Sequence, residues 1–295
     1  MAKPGLSLHR LELFLAVLET GGVARAARAR RISQPAVSEH LAGLAGYFGV
    51  PLLERVGRGV RPTAAARFLE PLVRQALSIL GQAERTAREL VDVRTGSLTV
   101  GASSTPGTYV LPGRLGRFHT RHPGITLTLQ IENSREIERR VVGGEVDLGV
   151  IGEFPLLDGL TPTPWLDDRL VLVVPRTHRL ASRRSVRPQA LMAEPLLARE
   201  EGSSTRRVAE RHLGELGLRL TPTMALGSTE AIREAVAAGL GVAIVSRLTV
   251  PSRDRRIQTV ELTGTTWNRQ LLIIQRSGTP LSPAAGRFRE FLLHA

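Results

Sequence analysis

The sequence predicts a multidomain α+β chain: a helical N-terminal region, a long connecting helix, and a C-terminal region where strands alternate with helices. Three observations carry that expectation. Apolar residues recur at helical spacing through about the first 90 positions. At Gly96 the pattern changes to short aliphatic runs separated by helical stretches, as in α/β folds. The chain has 295 residues, 42% of them hydrophobic, enough for about two domains with cores of their own.

Leu8, Leu11, Phe14, Leu15 and Leu18 share one helical face, and Gly21-Gly22 ends that segment. Val23 to Arg31 reads as a short Ala/Arg helix. Ser33 then caps a third helix, Gln34 to about Phe48, with Pro35 in the first turn, where a missing N–H costs little. Gly49, Pro51, Gly57, Gly59 and Pro62 predict turns or a small hairpin. Thr63 caps a long helix to about Val93. Leu69, Leu72, Ala76, Leu80, Ala83, Ala87 and Leu90 recur in it every three or four residues, as in a coiled-coil seam. Pro71 should kink it. A narrow apolar stripe without a local partner calls for a second copy of the chain, so a dimer through residues 63–93 is expected.

Two short helices with a tight joint, the second opening Ser33-Gln34-Pro35, have the layout of a helix-turn-helix. In that layout the N-terminus of the second helix enters the DNA major groove. Gln34 can bond an adenine edge through both its amide atoms. Ser33, Ser38 and His40 are expected on the exposed side of this helix, and Ala36, Val37, Leu41 and Leu44 on the inner side. Residues 22–67 hold eight Arg and two acids, within a chain of net charge +13. Arg25 and Arg28 sit in the first helix of the pair. Arg55, Arg58 and Arg61 lie in the Gly-rich turn, where a wing would reach phosphates, contacts that give affinity without sequence information. The plainer alternative is an Arg-rich helical bundle with a solvated face. The turn, the cap and the wing in one register favour DNA.

Beyond Gly96, Leu98–Val100, Leu127–Ile131, Leu148–Ile151, Leu170–Val174, Val242–Val245 and Leu271–Ile274 read as buried strands. Helices are expected over about 111–119, 134–142, 205–216 and 229–238. The alternation implies parallel βαβ units.

Cysteine is absent, which removes disulfides, thiolate nucleophiles and Cys-ligated metals. No secretory signal is visible, and the longest apolar run, Ala235–Val245, is far short of the roughly 20 residues that cross a bilayer. A cytoplasmic protein without membrane partners is expected. His119 and His122 have helical ligand spacing, but Pro123 ends the helix and no third ligand follows, so no metal is expected. Asp167-Asp168 mimics a catalytic pair, yet neighbours in a strand face opposite ways. No hydrolase, metalloprotease or phosphate-loop motif occurs. Neither catalytic residues nor a cofactor are expected. The arginines at 176, 179, 183, 184 and 187 most simply form a solvated loop.

The run SQPAVSEHL, followed by LAGYFGVPLLERVGRGVRPTAAA, resembles the winged helix-turn-helix of LysR-type transcriptional regulators. The long helix, ASSTPGTYVLPGRLGRFHTRHPGI, GGEVDLGVI and GLGVAIVS extend the resemblance over essentially the whole chain. Three departures stand out. Ala24 replaces a frequent hydroxyl, Glu39 stands near a frequent Arg, and the stretch Gly43–Tyr47 lacks a usual Glu. The resemblance implies a winged helix-turn-helix over 1–62, a linker and dimerisation helix over 63–95, and an effector-binding domain over 96–295. That domain is similar to periplasmic binding proteins, with lobes of about 97–166 plus 271–295 and about 167–265. It implies double-stranded operator DNA, a dimer of dimers and RNA polymerase as candidate partners.

With two lobes implied, the hydroxyl-rich helix starts become cleft candidates: Ser103, Ser104 and Thr105; Gly202, Ser203, Ser204 and Thr205; Ser228 and Thr229; and Glu132, Asn133 and Ser134 at the end of the second strand. Backbone N–H groups at helix starts favour anions, so a small oxyanion or carboxylate effector is expected. For any one hydroxyl, a cap that binds nothing is the commoner role. The rival functions are a solute-binding module without DNA function and an α/β enzyme. The missing secretory signal and the N-terminal motif weigh against the first, and the second would need an acid–base pair with perturbed titration.

Overall fold

A computed structural model describes residues 5–56, 59–91, 95–251, 254–264 and 266–294. The chain divides into two compact units, Met1–Glu84 and Arg85–Ala295.

In the first unit, α1 (Leu8–Thr20) starts at Ser7, whose Oγ accepts from the Arg10 N–H, and stops at Gly21 in the left-handed region. After α2 (Val23–Arg30), Arg31 takes φ of 56°, the one positive φ of a non-glycine among the described residues. This turn delivers the chain to α3 (Gln34–Phe48), where the Ser33 Oγ accepts from the Ala36 N–H at 3.3 Å. β1 (Leu53–Val56) and β2 (Gly59–Pro62) form an antiparallel hairpin. In front of α4 (Ala64–Val91) the Thr63 Oγ1 accepts from the Ala66 N–H at 3.1 Å, the expected cap. Leu13, Phe14, Val37, Leu44 and Leu52 form a sealed core. Fully burying such a side chain contributes about 1.5–3 kcal/mol, and this core fixes the angle between α2 and α3.

The stripe on α4 differs from the expected seam. Leu69, Val73 and Leu77 pack into the core of this same unit. The apolar face left exposed is Phe68 at 78%, Leu72 at 60%, Ile79 and Leu80. Leu69 therefore leaves the seam and Phe68 joins it, because helical rows one residue apart face different ways. Residues 92–93, the predicted end of the linker helix, lie outside the described residues.

The second unit runs β3 (Gly96–Ser103), α5 (Ser104–Tyr109), α6 (Leu111–Arg121), β4 (Ile125–Glu132), α7 (Ser134–Val142), β5 (Leu148–Ile151) and β6 (Leu160–Pro175). There follow β7 (Ser185–Val186), a 3-10 turn at Pro188–Ala193, β8 (Leu196–Arg199), α8 (Ser204–Glu215), β9 (Met224–Leu226) and α9 (Thr229–Ala237). β10 (Val242–Ser246), β11 (Ile257–Leu262), β12 (Asn268–Arg276) and α10 (Pro283–His294) complete it. The strand order is β4-β3-β5-β12-β6-β10-β8-β9, with β11 on β6 and β7 on β11.

The parallel expectation holds for β3 with β4 and β5, and for β8 with β9 and β10. It fails at the centre, where β12 and β6 are antiparallel to each other and to their other neighbours. The reason is β6 itself: Leu160–Arg169 pairs with β12, whereas Leu170–Pro175 pairs with β10 and β11. One long strand thus serves two sheets, each with its own core. Phe118, Ile125, Leu148 and Phe288 fill one, and Leu172, Val208, Leu213 and Trp267 the other. These are two lobes joined at β6 and β12. The strands at 185–186, 196–199, 224–226 and 257–262 and the helices at 104–109 and 283–294 were not expected from the sequence.

Candidate nucleic-acid interface and ligand cleft

The start of α2, the start of α3 and the hairpin enclose a concave surface of about 650 Å³ lined by Gly22, Arg25, Gln34, Ser38, Arg55 and Gly59, among others. Gln34, Pro35 and Ser38 are exposed, as is Arg28 on α2. The Ser33 Oγ is committed to its cap, and the Arg25 guanidinium donates to the Gly21 carbonyl. His40 departs from its expected place. It is half-buried, its ring edge-on to His9 at 5.0 Å, so it steadies α3 against α1. Ala36, expected inside, is also half-buried.

The hairpin separates its arginines. Residues directly opposite in an antiparallel pair share a face. Glu54 lies opposite Arg61 and Arg55 opposite Val60, and strand alternation puts the two pairs on opposite faces. Arg55 lines the concave surface with Gln34. Arg61 is on the other face, in a 2.6 Å ion pair with Glu54, and does not join the surface. Arg58 lies outside the described residues. Glu39 is exposed on α3.

The predicted hydroxyls of the second unit converge where the lobes meet. Ser103, Ser104, Thr105, Asn133, Ser134, Ser203, Ser204 and Thr205 line one inner chamber together with Arg199. It measures about 10 Å³, room for a single water-sized group. An outer chamber of about 300 Å³ shares Ser104, Asn133 and Arg199 and adds Ile131, Glu132, Ser228 and Glu230.

Capping separates these residues. Asn133 and Ser228 are true caps: Asn133 Oδ1 accepts from the Glu136 N–H and Ser228 Oγ from the Ala231 N–H, both at 3.0 Å. Ser103 and Ser203 occupy cap positions but make no side-chain capping bond. Ser134 is fully buried, and its Oγ is without a hydrogen-bond partner among the described residues. Glu132 is exposed at the rim and paired with Arg140 at 3.2 Å. Gly202 takes φ of 88° and lies against Asn133, and its carbonyl accepts from the Arg135 N–H at 3.3 Å, across the cleft.

Two buried arginines were not picked out from the sequence. Arg199 closes β8 and donates to Glu200 through Nε and Nη2, both at 2.8 Å, and to Thr229 Oγ1 at 2.8 Å. Arg269 enters at the start of β12 and donates to Asp168 Oδ2 at 2.8 Å, Thr205 Oγ1 at 3.0 Å, Thr105 Oγ1 at 3.3 Å and Ser204 Oγ at 3.4 Å. It joins both lobes and both connecting strands. Burial pulls its titration below the ordinary arginine value, Asp168 opposes this, and Arg199 and Arg207 reinforce it. Asp168 is buried and Asp167 exposed, the opposite-face arrangement expected of strand neighbours. A lone Arg before an aliphatic run is a weak signal. Its meaning appears only when Asp168, 101 positions away, is opposite it.

Further contacts span the lobes. Glu153 accepts from Arg207 Nε at 2.8 Å and also pairs with Arg211. Tyr109 on α5 accepts from Arg233 Nη1 on α9 at 3.1 Å. Burial, and then Glu230, push the Tyr109 phenol up to about 12. His122 packs on Phe118, and among the described residues no group of three His, Asp or Glu could hold a metal. In the arginine cluster Arg176 binds Gln258 and Arg179 binds Glu194, while Arg183, Arg184 and Arg187 are exposed. No helix among the described residues is long and apolar enough to cross a membrane.

Residues 8–67 match the family "Bacterial regulatory helix-turn-helix protein, lysR family", and residues 92–295 match "LysR substrate binding domain". The chain is similar to the "RuBisCO operon transcriptional regulator" of Allochromatium vinosum, 35% identical over 98% of this chain and 96% of the relative. Full-length CbnR solved with its target DNA shares the fold, with a TM-score of 0.76 and 24% identity, covering 97% of this chain and 99% of that one. The regulatory domain of Synechocystis PCC6803 CcmR, solved in complex with 2-PG, has a TM-score of 0.63 and 29% identity, covering 67% of this chain and 95% of that domain.

Proposed function

Because the chain belongs to the LysR family and is a DNA-binding transcriptional regulator, we propose that it reads operator DNA through Gln34 and Ser38, grips phosphates through Arg28 and Arg55, and is regulated by a small anion held between the lobes. The observation that carries the reading is the inner chamber. Its lining holds Ser103 and Ser203, which stand at cap positions without capping, the orphan Ser134 hydroxyl, and Arg199, whose guanidinium is paired with Glu200 outside the chamber lining. Hydrogen-bond donors collected around a buried point suit an oxyanion.

The exposed row Phe68, Leu72, Ile79 and Leu80 supports pairing of two copies through α4, with a dimer of dimers as the working assembly and RNA polymerase as a further partner. Two copies place two α3 helices on half-sites related by two-fold symmetry. The anion acts by holding one lobe arrangement more tightly than another, since a ligand shifts an equilibrium only through differential affinity. The protein works in the cytoplasm beside its DNA, needs no cofactor besides its effector and catalyses nothing. Relatives named for the RuBisCO operon make the promoter of such an operon, where the source genome has one, the first operator to try, and 2-PG the first effector. Genome-wide mapping of bound sites tests the reading. Recovery of a two-fold-symmetric motif upstream of a small set of genes supports it, and binding without a shared motif refutes it.

A further inference from the structure

We infer that Glu39 is a base-reading residue of α3: its carboxylate accepts from the exocyclic amino group of a cytosine in the major groove and fixes a C·G pair in each half-site. The inference rests on α3 reading operator DNA, and adds to that reading a residue and the base it selects.

The exposed face of α3 consists of two rows. Gln34 and Ser38, four apart, form the row that lines the concave surface. Pro35, Glu39, Ala42 and Gly46 follow one another at helical spacing, all exposed, and form the other. The buried face is Val37, Leu41 and Leu44. That buried row starts two residues after Pro35, and at 3.6 residues per turn two residues are about 200° around the axis. The Pro35 row therefore points away from the core, which is the side a recognition helix turns into the groove. Proline, alanine and glycine carry no polar side-chain atom. Any side-chain hydrogen bond from this row to a base edge comes from Glu39.

Nothing within the protein accounts for a glutamate there. Helical ion pairs join residues three or four apart, and the positions so placed around Glu39 are Pro35, Ala36, Ala42 and Gly43. Glu39 is the sixth residue of α3, beyond the first turn, where the helix dipole favours an acid. Residues 22–67 hold eight Arg and two acids, and the other acid, Glu54, is paired with Arg61 at 2.6 Å. Glu39 has no hydrogen-bond or ion-pair partner among the described residues. An unpaired carboxylate on a DNA-facing row weakens the grip on phosphates. That loss is offset where the carboxylate meets a donor on a base.

A carboxylate accepts and cannot donate. In the major groove guanine presents N7 and O6 and thymine O4, all acceptors, and each repels it. Adenine presents an amino group, but between two acceptors, its own N7 and the O4 of its partner. The cytosine amino group has an acceptor on one side alone, the O6 of the paired guanine. Cytosine is thus the base that suits Glu39. A wrong base leaves a desolvated carboxylate facing acceptors, so discrimination of about fivefold or more is expected.

The test is selection of bound duplexes from a randomised library by the full chain, followed by fluorescence anisotropy on single-base variants of the selected site. The wild-type chain is expected to show one position per half-site where cytosine is preferred about fivefold or more over each other base. Glu39→Ala should bring the four bases there to within about twofold and leave the other positions as they are, including the one that Gln34→Ala levels. Glu39→Gln should raise adenine at that position to at least the level of cytosine, because a glutamine meets adenine N6 and N7 with both amide atoms. Both substitutions fall at an exposed helical position, and helix content by circular dichroism checks that the variants are folded. A Glu39 that merely faces solvent gives a different result: removing its charge strengthens binding to every duplex alike and leaves all base preferences in place. That result, levelling at a position where the wild type prefers another base, or continued exclusion of adenine by Glu39→Gln, overturns this inference alone. A wild-type chain without any base preference overturns the operator reading of α3 and this inference with it.

Discussion

Replacing Arg55 and Arg61 one at a time separates the two faces of the wing. Both are exposed arginines of the same hairpin and equivalent by sequence, yet Arg55 lines the concave surface beside Gln34 while Arg61 is paired with Glu54 on the opposite face. A phosphate contact releases counterions and adds about 0.9 to the slope of log affinity against log salt. Arg55→Ala should make that slope shallower by about 0.9. The loss in affinity should then be larger at low salt, and over a fourfold rise in salt it should shrink by about 3.5-fold. Arg61→Ala should leave the slope unchanged. It also removes an exposed ion pair whose side chains are 63% and 44% accessible, an interaction of the class that contributes about 0–1 kcal/mol to stability. Fluorescence anisotropy with a non-specific duplex at several salt concentrations reads both slopes. A shallower slope for Arg61→Ala with an unchanged slope for Arg55→Ala would refute the assignment of faces.

Three further outcomes are expected. Gln34→Ala should flatten discrimination at one base pair per half-site by about 1–3 kcal/mol while leaving non-specific binding intact, as read by binding to single-base operator variants. Phe68→Ser with Leu72→Ser should shift the chain toward monomer in sedimentation velocity while its helix content stays, since these side chains contribute little to the core of their own unit. Gly202→Ala forces a side chain into φ of 88° with its Cβ 3.0 Å from Asn133 Oδ1, so the regulatory unit should lose about 1–2 kcal/mol in denaturant unfolding. An unchanged midpoint would mean that the Gly202–Arg135 contact across the cleft does not form.

Much of the first unit was legible because its signals are local. Ser7, Ser33 and Thr63 are caps acting over three residues, and the apolar spacing of α1 and α3 is set within one helix. The α4 stripe was harder. Leu69 and Leu72 are both apolar and three apart, and only the packed head shows that the first turns inward and the second outward. The short strands β7, β8 and β9 carry too few residues for a period, and β8 ends in a buried Arg that reads as surface.

The candidate cleft shows the same division. The hydroxyl clusters are visible in the sequence, since each stands just ahead of a helical stretch. Which of them are spent as caps is not visible, because Asn133 and Ser103 stand at equivalent positions and only Asn133 turns its side chain back. Arg269 could not be found from local pattern. Its partners lie at 105, 168, 204 and 205, and they are assembled by the two connecting strands.

The most direct test of the central claim is footprinting of the purified chain on its mapped operator while 2-PG is titrated in, with inorganic sulfate as a second ligand. The account predicts that either anion changes the protected pattern in a saturable way and that Ser134→Ala, which removes the orphan hydroxyl without adding volume, raises the anion concentration required while leaving the anion-free footprint in place. A footprint unmoved by either anion, or one that moves at the same anion concentrations in Ser134→Ala, would contradict it.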